Sequence, residues 1–293
     1  MTSTPHPIPP VELSPQLTKG RQPIASRRGQ VVRAGSGVRN IVTIGMDELP
    51  DLDPFLLFAE FGGAEPEDYI GGFPDHPHRG FETVTYVVEG RLKHADSHGN
   101  EGRLGRGAVQ WMTAARGLIH AEMPDQAAGP LRAFQLWINL PARNKMDVPR
   151  YQDIPAEQVP SLERDGVNVK VLAGTAFDLR SPIDAGPTDP VFLDLTLAPD
   201  SKIAVPLPCG HQVFAYVYEG CACFSEQEAR AETITLFSDG DHLEVSARES
   251  TQLLLLAARA ISEPIARQGP FVMNTPQEIR QAFADYQAGR FSS

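Results

Sequence analysis

The chain has 293 residues, of which 41% are hydrophobic, and a formal net charge of -11. This length suits two domains of about 100 to 150 residues each, and the acidic balance argues against direct contact with nucleic acid, which needs clustered Lys and Arg. No apolar run approaches the roughly 20 residues that cross a bilayer, and no export signal is evident. The three cysteines include no CxxC pair, which argues against a disulfide scaffold. We therefore expect a cytoplasmic protein that does not enter a membrane.

Four regions follow one another along the chain. Residues 1–30 are rich in proline without a periodic pattern and predict an extended N-terminal arm. Residues 31–140 hold short runs of Val, Ile, Thr and Phe separated by Gly, Pro and Asp, which is typical of antiparallel strands in a sandwich or barrel. Residues 141–166 are polar and proline-rich and indicate a linker between domains. Residues 167–293 begin with a second strand-rich block.

One helix is predicted near the end of the second block. Thr275 is a favourable N-cap, Pro276 suits the first helical position, and Glu278 completes a capping box. Gly289 can end the helix. The apolar residues of this segment recur on one face, which indicates a helix that packs on a sheet.

The two strand-rich blocks resemble each other. YVVEG at 86–90 matches YVYEG at 216–220, an offset of 130 residues that indicates a duplicated β-domain. The second copy lacks the metal-ligand types of residue found in the first at three positions, which pair as His76 with Pro206, His78 with Pro208, and Glu82 with Gln212. A residue that the fold itself required would be expected in both copies.

Two short motifs carry side chains that bind metals. In HPHRGFETV, His76 and His78 stand one residue apart at the start of a strand-like run. Residues i and i+2 of an extended segment point to the same side, so both imidazoles can reach one ion. GLIHAEMP repeats the spacing with His120 and Glu122. Three imidazoles and one carboxylate suit Fe(II), Mn, Ni, Cu or Zn, and a six-coordinate ion would keep two positions open for a substrate and oxygen.

The same motifs resemble the pirin family of the cupin superfamily. The resemblance covers most of the chain from about Val31 onward and is carried by HPHRGFETV, WMTAARGLIHAEMP, DPFLLFAEFG and GPFVMNTPQEIRQAFADYQAGRF. It implies an all-β bicupin with one C-terminal helix, in which two jelly-roll or β-sandwich domains follow each other and only the N-terminal domain binds a metal, usually iron. By match to the family motif, the ligands are His76, His78, His120 and Glu122.

Glu82 has a second interpretation. HPHRGFE also fits the general cupin pattern HxHxxxE, in which this glutamate is itself a ligand, whereas in pirins the carboxylate after the third histidine takes that role. The resemblance therefore favours Glu122 as the ligand. Glu82 is left as a partner of a histidine N–H, or as a carboxylate at the rim of the site.

The residues around the motifs suggest the walls of a pocket. Phe73, Phe81 and Met123 adjoin the ligands in sequence and are predicted to form an apolar wall over the metal. His94 lies in a turn-like segment and is interpreted as solvated. Three aromatic residues in strands are interpreted as core: Trp111, Phe134 and Trp137.

The resemblance implies a quercetin 2,3-dioxygenase, which opens a flavonol ring with dioxygen. The substrate would be a small aromatic compound of the flavonol or catechol type, and Glu122, or otherwise Glu82, would accept its hydroxyl proton as general base. The alternative is a redox-sensitive metal-binding regulatory protein that acts through a protein partner. A third interpretation is a cupin with a different small substrate.

Overall fold

The computed structural model of the chain describes residues 17–290. The strands up to the middle of the chain are β1 (Pro23–Arg28), β2 (Gln30–Ala34), β3 (Val38–Ile44), β4 (Phe55–Gly63), β5 (Phe73–His78), β6 (Phe81–Glu89), β7 (Leu92–Asp96), β8 (Glu101–Leu104), β9 (Val109–Thr113), β10 (Leu118–Pro124), β11 (Leu131–Asn139), β12 (Arg150–Ile154) and β13 (Ser161–Arg164). Three 3-10 turns interrupt this half, at Pro66–Asp68, Ala142–Asn144 and Ala156–Gln158.

The later elements are mostly strands as well. They are β14 (Val167–Ala173), β15 (Thr175–Ala176), β16 (Leu179–Arg180), β17 (Val191–Leu197), β18 (Ser201–Pro206), β19 (His211–Glu219), β20 (Cys221–Phe224), β21 (Gln227–Arg230), β22 (Thr233–Phe237), β23 (His242–Ala247), β24 (Thr251–Arg259), β25 (Ala266–Gln268), β26 (Phe271–Met273) and the helix α1 (Pro276–Gln287). Over residues 17–290 no helix is long and apolar enough to cross a membrane.

The described chain forms two sandwiches, each made of a seven-stranded and a four-stranded antiparallel sheet. The first has the orders β12-β9-β6-β11-β4-β3-β2 and β5-β10-β7-β8, and the second has β1-β22-β19-β24-β17-β14-β13 and β18-β23-β20-β21. The central strands β6 and β11 of the first large sheet correspond to β19 and β24 of the second. The predicted all-β fold with two sandwich domains and one C-terminal helix is confirmed.

The two large sheets pack face to face. Alternate side chains of a strand point to opposite faces, so in β6 Val84 and Tyr86 enter the core between the domains, while Thr85 points into the first sandwich. Rings from both domains meet in that core, for example Phe58 and Tyr216 at a centroid distance of 5.1 Å. This packing leaves the interior of each sandwich as a separate space.

The described part of the predicted N-terminal arm lies on the second domain. Residues 1–16 are outside the described range, while β1 pairs with β22 as an edge strand of the second large sheet. Arg21 is buried there, and its guanidinium donates to the carbonyls of His211 (3.1 Å), Ser238 (2.9 Å) and Pro208 (2.6 Å). Because a buried cation needs such acceptors, Arg21 anchors the arm.

The segment predicted as a linker, residues 141–166, contributes a strand to each domain. β12 pairs with β9 at the edge of the first large sheet, and β13 pairs with β14 at the edge of the second. The prolines of this segment, such as Pro155 and Pro160, lie between the strands, where a missing N–H breaks no ladder. Composition alone indicated only a connection.

The C-terminal segment returns to the first domain. Thr275 caps α1 with Glu278 in the predicted capping box. Asp285 of α1 accepts a hydrogen bond from the guanidinium of Arg79 (2.8 Å), just after His78. Lys145 is buried in the same region and donates to the carbonyl of Val272 at 3.0 Å. The segment thereby braces the turn between β5 and β6.

Candidate metal centre

Three histidines converge inside the first sandwich. β5 and β10 are antiparallel neighbours, and His76 lies directly opposite His120 in their register. His78 follows two residues later on the same strand face as His76. One ring nitrogen from each of the three side chains lies within 4.8 Å of the others. The strand spacing in the sequence predicted this approach, and the pairing of β5 with β10 brings the two motifs together.

The three imidazoles are arranged around a common point. The ring centroids of His76, His78 and His120 are 4.4 to 5.0 Å apart. Nδ1 of His76 lies 2.8 Å from the carbonyl oxygen of Pro74. Because that carbonyl can only accept, Nδ1 carries the proton and Nε2 is left with a free lone pair, which is the form that binds a metal.

The environment of His120 fits a metal ion. The residue is fully buried, and neither ring nitrogen has a hydrogen-bond partner. Leaving a buried polar atom without a partner costs about 1 to 3 kcal/mol, which a coordinated ion would offset. Burial, with the neighbouring histidines, lowers the pKa of both His78 and His120 well below the usual value. Both rings are therefore neutral, as ligation requires.

Glu122 lies on the same face of β10 as His120 but is not among the side chains whose ligand atoms converge within 4.8 Å. The residue is only 3% exposed, and its carboxylate accepts two hydrogen bonds. The hydroxyl of Thr85 donates to Oε1 at 2.6 Å, and the amide of Gln135 donates to Oε2 at 2.8 Å. Each oxygen keeps a further lone pair, so Glu122 remains able to act as a ligand or a base.

Glu82 does not belong to the centre. It points to the opposite face of β6 from Thr85, toward the second domain, where Thr113 donates to its Oε1 at 2.7 Å. Oε1 of Glu82 lies 3.4 Å from the position that a Cβ on Gly186 would occupy. The interpretation of Glu82 as a partner of the histidines or as the base is therefore wrong. His76 and His78 of β5 point into the first sandwich, whereas the even-numbered residues of β6 point toward the second domain. Because a turn separates the two strands, the alternation in β5 does not predict the orientation of a residue in β6.

The predicted pocket residues are distributed unevenly. The ring of Phe81 is 5.1 Å from that of His78, and the ring of Phe73 is 6.5 Å from that of His76. As walls of a substrate pocket both residues remain predictions. Met123 alternates with Glu122 and lies on the outer face of β10, beside Lys93. By alternation it points away from the face of β10 that carries His120 and Glu122, and its role as a pocket wall remains a prediction.

Trp137 was interpreted as core but borders the histidines. Its ring is 5.1 Å from that of His78 and 4.5 Å from that of Phe81, and the residue is only partly buried. The guanidinium of Arg267 lies 5.0 Å above the Trp137 ring. Alternation along β11 places Trp137 on the same face as Gln135, and this face could have been assigned once the partners of β11 were known.

His94 was interpreted as solvated, but it is buried inside the first sandwich. Its Nε2 lies 2.7 Å from Oδ2 of Asp153, and its ring stacks on that of Tyr151 with centroids 5.7 Å apart. Asp153 and Tyr151 come from β12, within the segment predicted as a linker. The turn that suggested exposure begins only after Asp96, because β7 extends to that residue.

The interior of the second sandwich is apolar at the corresponding place. Its core includes Val205, Val213, Ala215, Leu243 and Leu255, all nearly inaccessible. No cluster of three metal-binding side chains is found there within the described residues. The polar lining of the first sandwich is therefore not a requirement of the fold.

A double β-sandwich whose histidine centre lies in one domain only defines a two-domain cupin. The chain belongs to the pirin family. The Pirin family model matches residues 32–138, and the model for the Pirin C-terminal cupin domain matches residues 192–292.

Individual relatives extend over nearly the whole chain. A protein of Pseudomonas aeruginosa named "Putative quercetin 2,3-dioxygenase" is 43% identical over 281 residues, which cover 93% of this chain and 99% of the relative. A pirin-like protein of Caulobacter vibrioides is 43% identical over 266 residues, covering 90% and 96%. The crystal structure of a quercetin 2,3-dioxygenase from Acinetobacter baumannii superimposes with a TM-score of 0.87 at 31% identity, covering 94% and 99%.

Proposed function

We propose that the chain is an iron-dependent dioxygenase of the quercetin 2,3-dioxygenase type, acting on a flavonol or a related catechol. The observation that carries the proposal is the convergence of three imidazoles in the first sandwich, where His120 is buried without a hydrogen-bond partner. The relatives named as quercetin 2,3-dioxygenases support the reaction class. The donor set also accepts Mn, Ni, Cu or Zn, and Fe(II) is the ion we favour.

Each residue of the centre has a distinct part in this proposal. His76, His78 and His120 would hold the ion, with Glu122 as the fourth ligand or as a base beside it. The bound ion would supply Lewis acidity that lowers the pKa of a substrate hydroxyl and a site where substrate and dioxygen meet. A histidine binds an ion through a deprotonated ring nitrogen, so coordination would add no positive charge beyond that of the ion.

Glu122 is the proposed proton acceptor. The flavonol 3-hydroxyl would give its proton to a carboxylate oxygen of Glu122, since Thr85 and Gln135 leave one lone pair free on each oxygen. The rings of Phe73, Phe81 and Trp137 would flank a planar aromatic substrate and exclude water from it. Glu82 takes no part, because its carboxylate faces the second domain.

The direct test is an assay under air with purified protein loaded with Fe(II). We expect the quercetin absorption band to decay with uptake of oxygen, and His120→Ala to lose this activity. His98→Ala is the matched control, since His98 is exposed and lies outside the converging rings. An unchanged absorption band with the iron-loaded protein, or full activity in His120→Ala, would show that the proposal is wrong.

A related screen defines the substrate class and the competing function. Oxygen uptake should be measured across flavonols and catechols with the same preparation. If iron is bound but none of these compounds is consumed, a regulatory role through a protein partner becomes the better hypothesis.

We also propose that the protein acts in the reducing cytoplasm, where cysteines stay in the thiol form. The three cysteines of the chain are free.

A further inference from the structure

We propose that Thr85 and Gln135 are positioning residues that fix the carboxylate of Glu122 beside the histidine centre. The inference rests on the proposed metal site and concerns how its carboxylate is held. Thr85 lies on β6, Gln135 on β11 and Glu122 on β10, so three strands from both sheets of the first sandwich meet at this carboxylate.

The contacts leave the carboxylate little freedom. Thr85 Oγ1 lies 2.6 Å from Oε1 of Glu122, and Gln135 Nε2 lies 2.8 Å from Oε2. The two donors come from separate strands, and each restrains a different oxygen of the carboxylate. Thr85 and Gln135 are themselves direct cross-strand partners, which sets the spacing of the two donors by backbone pairing rather than by flexible loops.

The second sandwich provides an internal comparison. The 130-residue offset between the copies places Ala215 at the position of Thr85, and Ala215 pairs across strands with Leu255, just as Thr85 pairs with Gln135. Ala215 and Leu255 are fully buried in the apolar core of the second domain. The sandwich thus folds with an apolar pair at this position, and the two polar residues of the first copy are not needed for the fold.

The change of this pair accompanies the loss of the histidines. The second copy has Pro206 and Pro208 where the first has His76 and His78. A buried hydroxyl or amide is costly without a partner, and the amide of Gln135 and the hydroxyl of Thr85 both donate to Glu122. The polar pair therefore belongs with the histidine centre.

Side chains that hydrogen-bond to a metal-binding carboxylate commonly change metal affinity by about 10- to 100-fold when removed. We expect Thr85→Ala and Gln135→Leu each to raise the dissociation constant for Co(II) by such a factor. Both substitutions install the residue found in the second copy. Thr85→Ser keeps the hydroxyl, so its affinity for Co(II) should stay close to that of the unsubstituted protein.

The matched control is Gln110→Thr. Gln110 is the cross-strand partner of Thr85 on its other side, and its amide donates to Asp153 at 2.9 Å rather than to Glu122. The second copy has Thr235 paired with Ala215 at this position. This variant also installs the residue of the second copy, and we expect its Co(II) affinity to be unchanged.

The experiment is a titration of the metal-free full-length chain with Co(II), followed by the visible absorption of the bound ion. If the carboxylate of Glu122 moves away from the ion, the ligand field at the bound Co(II) should change. The Co(II) spectra of Thr85→Ala and Gln135→Leu should therefore differ from that of the unsubstituted protein, while the spectrum of Thr85→Ser should not. Unfolding temperatures of the metal-free proteins show which variants are folded. If Thr85→Ala does not fold, Gln135→Leu alone decides the result.

The outcomes separate this inference from the proposed function. Unchanged Co(II) affinity and spectrum in Gln135→Leu and Thr85→Ala, with Co(II) held by the unsubstituted chain, would overturn the positioning role and leave the metal centre intact. An equal loss in Gln110→Thr would also overturn it, because the effect would then not depend on contact with Glu122. Failure of the unsubstituted chain to bind Co(II) would overturn the metal centre itself.

Discussion

Glu82→Gln is expected to change how the stability of the protein depends on pH. Glu82 is fully buried, and burial raises the pKa of its carboxyl from 4.5 to about 7, against the opposing hydrogen bond from Thr113. A folded-state pKa above the unfolded value means that the protonated form is the one that stabilises the fold. This contribution is complete below pH 4.5 and is lost as the pH rises through about 7.

The magnitude follows from the same pKa. A rise from 4.5 to about 7 corresponds to about 3 kcal/mol of unfolding free energy. Glutamine has nearly the same shape and does not titrate. The difference in unfolding free energy between the original protein and Glu82→Gln should therefore shift by about 2 to 3 kcal/mol in favour of the variant between pH 4.5 and pH 8.

Urea unfolding of both proteins at a series of pH values measures this difference. Groups other than Glu82 titrate alike in both proteins and cancel. Co(II) affinity should be the same in both proteins, because Glu82 faces the second domain. A difference in unfolding free energy that stays constant with pH would refute a raised pKa, and a large loss of Co(II) affinity would refute the placement of Glu82 away from the centre.

Three further predictions concern metal binding and packing. Saturation with Co(II) at about 100 times its dissociation constant should stabilise the protein by about 2.7 kcal/mol, and His120→Ala should show no such rise in unfolding temperature. Asp285→Leu should cost about 1.5 to 3 kcal/mol, measured by urea unfolding, because it removes a charged acceptor of the Arg79 guanidinium at 2.8 Å. A cost below about 0.5 kcal/mol, as for an ordinary surface substitution, would contradict this. Thr275→Ala should cost about 1 kcal/mol by loss of the cap on Glu278 N–H, and thermal unfolding at fixed pH checks it.

Local sequence patterns predicted much of the fold and part of the site. The capping box at Thr275 depends on residues three positions apart, and the structure has it. His76 and His78 share a face because alternation in a strand is fixed by backbone geometry. The repeated YVVEG and YVYEG segments indicated two β-domains, and β6 and β19 hold the same position in the two large sheets.

Other features depended on which strands become neighbours. The composition of residues 141–166 indicated a linker, yet β12 pairs with β9 and brings Tyr151 and Asp153 to His94. Glu82 and His78 are both even-numbered, but a turn separates their strands, and Glu82 points toward the second domain while His78 points into the first sandwich. Trp137 borders the histidines because its strand, β11, pairs with β6 in the first large sheet.

The sequence by itself determined the number of β-domains, the C-terminal helix and the copy that carries the histidines, because these features are written in short-range spacing and in comparison of the two copies. Only the tertiary structure decided that Glu82 faces the second domain and which side chains hold Glu122 in the first sandwich. Thr85, Gln135 and Glu122 are up to 50 residues apart and meet through the pairing of β6 with β11 and the packing of β10 across the sandwich. Such contacts depend on register and sheet packing, which the periodicity of a single strand does not specify.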